Sequence, residues 1–383
     1  MKIIFERSKA SSVIAPLMAT AGNRSTLQAI EGILIEAKAP DTVILTTYDL
    51  EKGMRTAVEA EVIEEGYFVV NAQKFNQALH VMESDKITLT VDEKFRATLT
   101  SGRATISMNA LEGEDFPAVP SLKSEMGFFI GQQVFRKMLA KTSYAMATAD
   151  QRQVLNGCFV HVDDDSLSIV ACDGHKLATC KRKADIKKGN ENDRYISYSF
   201  ILPVKTVSEL YKLLSDDEEA ITRIYLMRKH IVFEIGDIIF FSRLIEGEYI
   251  DYERIIINSH KITLEADKEE LMSALERAAL ITEEKIAGSV RSHVKLNVTE
   301  EYMEISAVST NGSSYDEVKI SHNGENVIIA FNNRYLMDTL RSCDTEKVRF
   351  SISSPLIGMN IEPVDEDDGI EELYMIQPIR MKE

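Results

Sequence analysis

The chain has 383 residues, a net charge of −17, 44% hydrophobic and 27% charged residues. That is enough for two or three globular domains. No apolar run approaches the ~18 residues of a membrane span, and charges interrupt the N-terminus where a secretory leader would be apolar, so a cytoplasmic location is expected. The acidic balance argues against a simple basic nucleic-acid module.

In chain order, residues 2–6 read as a strand. A helix over 9–21 follows, with Ser8 or Ser11 as cap and Pro16 as a local conflict. Strands are expected over 30–36 and 42–47, with Ala39-Pro40-Asp41 as the turn. An apolar run then turns into a helix over 72–82, and strands over 86–91 and 96–108 close the first segment at Asp115-Phe116-Pro117. A second round gives a strand over 128–130, a helix over 132–147, strands over 158–162 and 167–172, and a helix over 204–214. Three strands follow between 224 and 244. A third round gives a strand at 261–265, a helix over 267–281 and strands over 294–298 and 303–308. It continues with a helix over 332–343 and strands over 348–352, 357–361 and 373–381, the last preceded by an acidic loop at 365–368.

One stretch recurs. Phe200-Ile-Leu-Pro-Val-Lys-Thr is matched by Phe68-Val-Val-Asn-Ala-Gln-Lys and Val327-Ile-Ile-Ala-Phe-Asn-Asn-Arg. Phe68 to Phe200 is 132 residues and Phe200 to Ile328 is 128. A domain-sized period implies three copies of one domain. The expected boundaries are 1–125, 126–259 and 260–383. Each copy reads as two β-α-β-β halves, which makes an α+β fold with two helices on one face of a mostly antiparallel sheet.

The chemistry-bearing residues are sparse. Cys158, Cys172, Cys180 and Cys343 form no CxxC pair, and the seven histidines form no HExxH, so neither a metal nor a cofactor is expected. There is no glycine-rich phosphate loop. Cys172-Asp173-Gly174-His175-Lys176 gathers a thiol, a carboxylate and an imidazole. A hydrolase using Asp173 and His175 is therefore one alternative, although Asp-Gly is the expected turn after a strand and triads are assembled from distant positions. A repeat scaffold that binds protein but not DNA is the other. The six expected helices carry eleven basic and six acidic residues, a net +5 that leaves −22 for the remainder. A basic helical face inside an acidic exterior would attract a phosphate backbone without reading bases.

Local motifs carry a resemblance along the whole chain. They are Gly22-Asn-Arg-Ser-Thr26, Thr47-Tyr-Asp-Leu-Glu51, Ser101-Gly-Arg103, Asp115-Phe-Pro117, Leu155-Asn-Gly157, Asp173-Gly-His-Lys-Leu177, Asp251-Tyr252 and Pro378-Ile-Arg-Met381. In this order they resemble the bacterial DNA polymerase III beta subunit family, the replicative sliding clamps. The resemblance implies a non-enzymatic processivity factor. It would be a head-to-tail homodimer closed into a ring around duplex DNA, helices inside and sheets outside. Twelve helices about 9–10 Å apart enclose a hole of roughly 25 Å, wide enough for a hydrated duplex. The implied DNA contacts are Arg24, Lys74, Arg136, Lys137, Lys141, Gln153, Lys205, Lys212, Arg334 and Arg341.

The family's peptide-binding groove would be built from Arg152, Leu155, Cys172, Gly174, His175, Lys176, Leu177, Ile250, Arg254, Ile255, His322, Leu356, Gly358, Ile376, Gln377, Pro378, Ile379, Arg380 and Met381. Its implied partners are the DNA polymerase III alpha subunit, the clamp loader, other polymerases and repair proteins. Taken alone, Leu155, Leu177 and Ile255 read as core; only the resemblance makes them a groove. The family often has Pro where Ile250 stands and Met where Gln377 stands, and Lys382-Glu383 extends past its usual end. The implied dimer interface sets Arg96, Arg103, Ile106 and Met108 against Leu280, Ile281, Ile286 and the acids Glu300, Glu301 and Glu304.

Overall fold

A computed structural model describes residues 1–23, 26–122, 124, 126–184, 186–189, 195–282, 293–310, 312–364 and 369–381. Arg24, Ile286, the acidic loop 365–368 and the terminal Lys382-Glu383 lie outside the described residues.

The first copy runs β1 (Lys2–Glu6), α1 (Arg7–Leu17), β2 (Gly32–Lys38), β3 (Thr42–Tyr48), β4 (Lys52–Glu59), β5 (Glu61–Glu64), β6 (Gly66–Asn71), α2 (Ala72–Val81), β7 (Lys86–Val91), β8 (Arg96–Ser101) and β9 (Ala104–Glu112). Helix α1 departs from expectation at both ends. It begins straight out of β1 with no side-chain cap. It stops at Leu17 in a turn of 3₁₀ type, where Ala19 and Thr20 donate to the carbonyls of Pro16 and Leu17, three residues back. Gly102-Arg103 is a hairpin turn between the paired Ser101 and Ala104, so residues 96–108, expected as one strand, belong to two. Strand β4 was not expected from sequence.

The second copy runs β10 (Gly127–Gly131), α3 (Gln132–Ser143), β11 (Gly157–Asp163), β12 (Ser166–Cys172), β13 (Lys176–Lys183), β14 (Lys187–Lys188), β15 (Ser197–Pro203), α4 (Val204–Leu213), β16 (Ile221–Leu226), β17 (His230–Ile235) and β18 (Ile238–Arg243). The third runs β19 (Ile262–Asp267), α5 (Lys268–Thr282), β20 (His293–Val298), β21 (Tyr302–Val308), β22 (Ser313–Asn323), β23 (Val327–Asn332), α6 (Asn333–Ser342), β24 (Lys347–Ile352), β25 (Met359–Pro363) and β26 (Ile370–Ile376). The recurring stretch is the β6–α2, β15–α4 and β23–α6 passage. Asn71 and Asn332 cap their helices by accepting from the amides of Lys74 and Arg334, each at 3.0 Å. Pro203 takes that place in the middle copy.

The strands divide between two sheets, each the frame of one compact unit. The first has the order β14-β10-β16-β17-β18-β4-β3-β2-β6-β9-β8-β7-β1-β5. The second has the order β15-β11-β12-β13-β26-β25-β24-β19-β22-β21-β20-β23. The middle copy therefore contributes strands to both. In each sheet, one copy's strand pairs antiparallel with the last strand of the next copy. Strand β4 pairs with β18 from Lys52↔Ser242 to Thr56↔Ile238, and β13 pairs with β26 from Lys176↔Ile376 to Arg182↔Ile370.

Besides the terminal strands of each sheet, β9 and β22 leave part of an edge open among the described residues. Strand β9 pairs with β8 over 104–109, but only residues 110–112 meet β6 on its other side. Strand β22 pairs with β21 over 313–319, but only residues 320–323 meet β19. The amide of Ala110 donates to Phe95. With strict alternation, this turns the backbone groups of Thr105, Ser107 and Asn109 away from β8. Ile320 donating to Glu301 likewise turns Ser313, Tyr315 and Glu317 away from β21.

Candidate binding groove and helix faces

Strands β12 and β13 are joined by a tight turn at Asp173–Lys176. The carboxylate Oδ1 of Asp173 accepts from the amides of His175 and Lys176 at 2.8 and 2.9 Å, and Gly174 takes φ +90°. Below this turn, Leu155, Cys172, Leu177, Ala147, Val170, Ile201, Tyr249 and Met375 form a buried apolar cluster. Ile250, Ile255, Tyr252 and Phe159 pack against it, partly exposed. This brings together five of the expected groove residues: Leu155, Cys172, Leu177, Ile250 and Ile255. Arg152 stands over the turn, its Nη2 3.0 Å from where a Cβ on Gly174 would sit. The carboxyl of Asp150, hydrogen-bonded by the Arg152 guanidinium and amide, is held down at about 2.

The C-terminal segment forms an opposite wall. Ile376 pairs with Lys176, Gln377 donates to the His175 carbonyl at 2.8 Å, and Ile379 donates to the Ala330 carbonyl at 2.7 Å. Gly358 lies against Gln377 and Met375, where a Cβ would come within 3.0 Å of both. Leu356, Ile379, Arg380 and Met381 are exposed, Pro378 is half-buried, and Arg254 is exposed and paired with Asp251. An apolar floor with adaptable, exposed aliphatic lips suits a short peptide with apolar anchors.

Two of the expected readings are corrected. His322 lies on β22, opposite Leu264. The sheet order places β22 four strands from β26, roughly 19 Å at the usual strand spacing, so it does not line this wall. Tyr335 on α6 stands there instead. Its ring stacks on His175 at 6.4 Å and lies under the Lys176 ammonium at 4.6 Å. Its only sequence signal was its place in the repeated stretch. The hydrolase alternative also fails. The Asp173 carboxylate holds the turn and the Lys176 ammonium at 2.5 Å, and the Cys172 thiol is pushed up by burial.

The helix cations have separate fates. Lys74, Lys205, Lys212, Arg334 and Arg341 are exposed, Gln153 is exposed at the start of a short 3₁₀ helix, and Arg136 and Lys137 are half-buried. Several meet acids: Lys212 with Glu209, Arg334 with Asp338, Arg341 with Asp338 and Glu276, and Lys137 with Asp344. Lys141 is corrected outright. It is only 3% exposed and is bonded to Glu372 and Asp344, so its charge is internal. Burial alone would lower its pKa, but the bonds to Glu372 and Asp344 outweigh that and raise it.

Of the expected interface residues, Arg96 and Arg103 are exposed on or beside β8 and β9, Ile106 is half-buried, and Leu280 on α5 is 79% exposed with Ile281 half-buried beside it. Met108 is buried within its own unit, because alternation along β9 turns it to the core. Glu300 and Glu301 occupy the β20–β21 turn, and Glu304 lies on β21, bonded by Asn297. The acids on the open strand β22 are Asp316 and Glu317.

Three family models match the chain: the N-terminal domain of the DNA polymerase III beta subunit over residues 1–120, its central domain over 129–251 and its C-terminal domain over 253–378. The beta sliding clamp of Pseudomonas aeruginosa is 30% identical over 375 residues, covering 97% of this chain and 98% of the relative. That of Vibrio cholerae is 29% identical over 384 residues, covering 100% of each. A solved sliding clamp from Pseudomonas aeruginosa bound to griselimycin is similar over 100% of both chains, with a TM-score of 0.88 and 29% identity.

Proposed function

Because this chain belongs to the DNA polymerase III beta subunit family, sliding clamps that serve as processivity factors and not as enzymes, we propose that two copies close head to tail around duplex DNA. The observation that carries this is the repeated joint. Twice within the chain, a strand of one copy pairs with the last strand of the next: β4 with β18 and β13 with β26. The third member of the first series is β22 and the remaining last strand is β9, and both keep open edges. Pairing β22 of one chain with β9 of another continues the series, and the same joint repeated twice closes it. The exposed Glu317 beside Arg96 and Arg103 favours that pairing, while Asp316 already holds Arg277. This reading moves the acidic side of the interface from Glu300 and Glu301 to β22.

The three domains, 1–125, 126–259 and 260–383, then form half a ring each time the chain is used. The helices line the hole, and Lys74, Arg136, Lys137, Lys205, Lys212, Arg334 and Arg341 meet phosphates without sequence preference. The groove over Leu155, Cys172 and Leu177 takes short peptides of the DNA polymerase III alpha subunit, the clamp loader, other polymerases and repair proteins in the cytoplasm. Griselimycin, bound by the Pseudomonas aeruginosa clamp, would occupy the same groove here. The test is retention on circular DNA after clamp-loader action, with release on linearising the circle. Protein that stays on the linear form, or never loads on circles, would overturn the ring.

A further inference from the structure

Beside the groove, and outside it, lies a buried polar cluster. Lys141 on α3 bonds Glu372 on β26, whose side chain is fully buried, and Asp344 at 2.9 Å. Glu372 also accepts from the Tyr374 hydroxyl at 2.5 Å. The ring of Tyr374 packs on Tyr144 at 6.2 Å, and the Tyr144 hydroxyl lies 3.0 Å from that of Thr339 on α6. The cluster thus ties a helix of the second copy to a strand and a helix of the third.

Both segments that leave this cluster enter the groove within a few residues. From Tyr144 the chain reaches Ala147, which lies in the apolar floor and donates to the Leu155 carbonyl at 2.9 Å. From Tyr374 it reaches Met375, also in the floor, and then Gln377, which donates to His175. The cluster is therefore a second tie between the two walls, beside the β13–β26 ladder that joins them directly. A buried ammonium–carboxylate pair tolerates little slip, because sliding either segment strands a charge away from water. An apolar contact would tolerate far more.

We propose that Lys141 and Glu372 are positioning residues, which set the wall formed by Leu155, Cys172 and His175 against the wall formed by Met375 and Gln377. The proposal rests on the groove being the peptide site. It assigns Lys141, whose helix position suggested a DNA contact, to partner binding at a distance.

The test is calorimetric titration of griselimycin into the full-length protein. Wild type binds. Lys141→Met weakens binding by about tenfold, the scale on which residues that touch no ligand tune a distant site. Lys141→Arg, which keeps the cation, recovers most of the loss. Glu372→Gln, which keeps shape and the Tyr374 bond, gives an intermediate loss and serves if Lys141→Met does not fold. A control variant, Leu89→Ala, removes a buried side chain from the other unit and leaves affinity unchanged. Wild-type affinity in both Lys141→Met and Glu372→Gln overturns the positioning role. So does an equal loss in Leu89→Ala, which would mark general destabilisation. Failure of the wild type itself to bind overturns the groove reading beneath it.

Discussion

Ser107→Pro tests the proposed joint between copies at one backbone atom. Ser107 lies on β9 opposite Thr98, and its amide points to the open edge. If Thr105, Ser107 and Asn109 pair with β22 of a second copy, each interface gains about six backbone hydrogen bonds worth ~1 kcal/mol each. Proline removes one donor and pushes its ring into a gap of about 4.8 Å between strands. A loss of roughly 2–3 kcal/mol at each interface follows, raising the dimer dissociation constant at least ~30- to 150-fold. Within the protomer the change removes only the exposed 3.1 Å contact between the Ser107 and Thr98 hydroxyls, so the melting temperature of the monomer stays within a few degrees. Sedimentation velocity over a dilution series reads the first quantity and thermal unfolding the second. An unchanged dimer with a markedly lower melting temperature would refute the reasoning, because it would mean that the amide serves the fold and not the joint.

Three further outcomes are expected. Lys74→Ala removes one exposed cation and lowers the slope of log affinity for a short duplex against log salt by about 0.9, with dimerisation unchanged; an unaltered slope would remove Lys74 from the DNA face. The folded pKa of Asp150 lies below its unfolded value, so the Asp150–Arg152 contribution is complete above about pH 4 and disappears as the pH falls through about 2. An NMR titration midpoint near 4 would show that Arg152 is not held as described. Leu177→Ala, in the fully buried floor, costs about 2–5 kcal/mol in chemical denaturation and weakens griselimycin binding. Binding at wild-type strength would place the ligand elsewhere.

Legibility differed by element. The strand-to-helix passages were readable because each combines an apolar run with a cap or proline and a helical period. The turn at Asp173–Lys176 was readable because Asp-Gly encodes it locally. The twin turn at Asp49–Lys52, where Asp49 accepts the same two amides at 2.9 and 2.7 Å, was noticed only as a family motif. Strands β4, β13 and β22 were missed. Their sequences, KGMRTAVE, KLATCKRK and SSYDEVKISHN, are rich in charge and polar groups. They are strands because a neighbour supplies the ladder, and β4 and β13 are the strands that join the copies.

The amino-acid sequence by itself determined three α+β copies, the places of their helices and a family-level site, because these depend on local propensity and on a pattern that repeats. Only the tertiary structure decided which cations remain available to a ligand and which residues share a wall. Lys141 looks like Lys137 in sequence, yet it is internal because Glu372, far along the chain, meets it in a buried setting. His322 and Tyr335 are thirteen positions apart, yet only Tyr335 meets His175. Electrostatic pairing and sheet order act through space, and sequence separation carries no distance once the strands have paired.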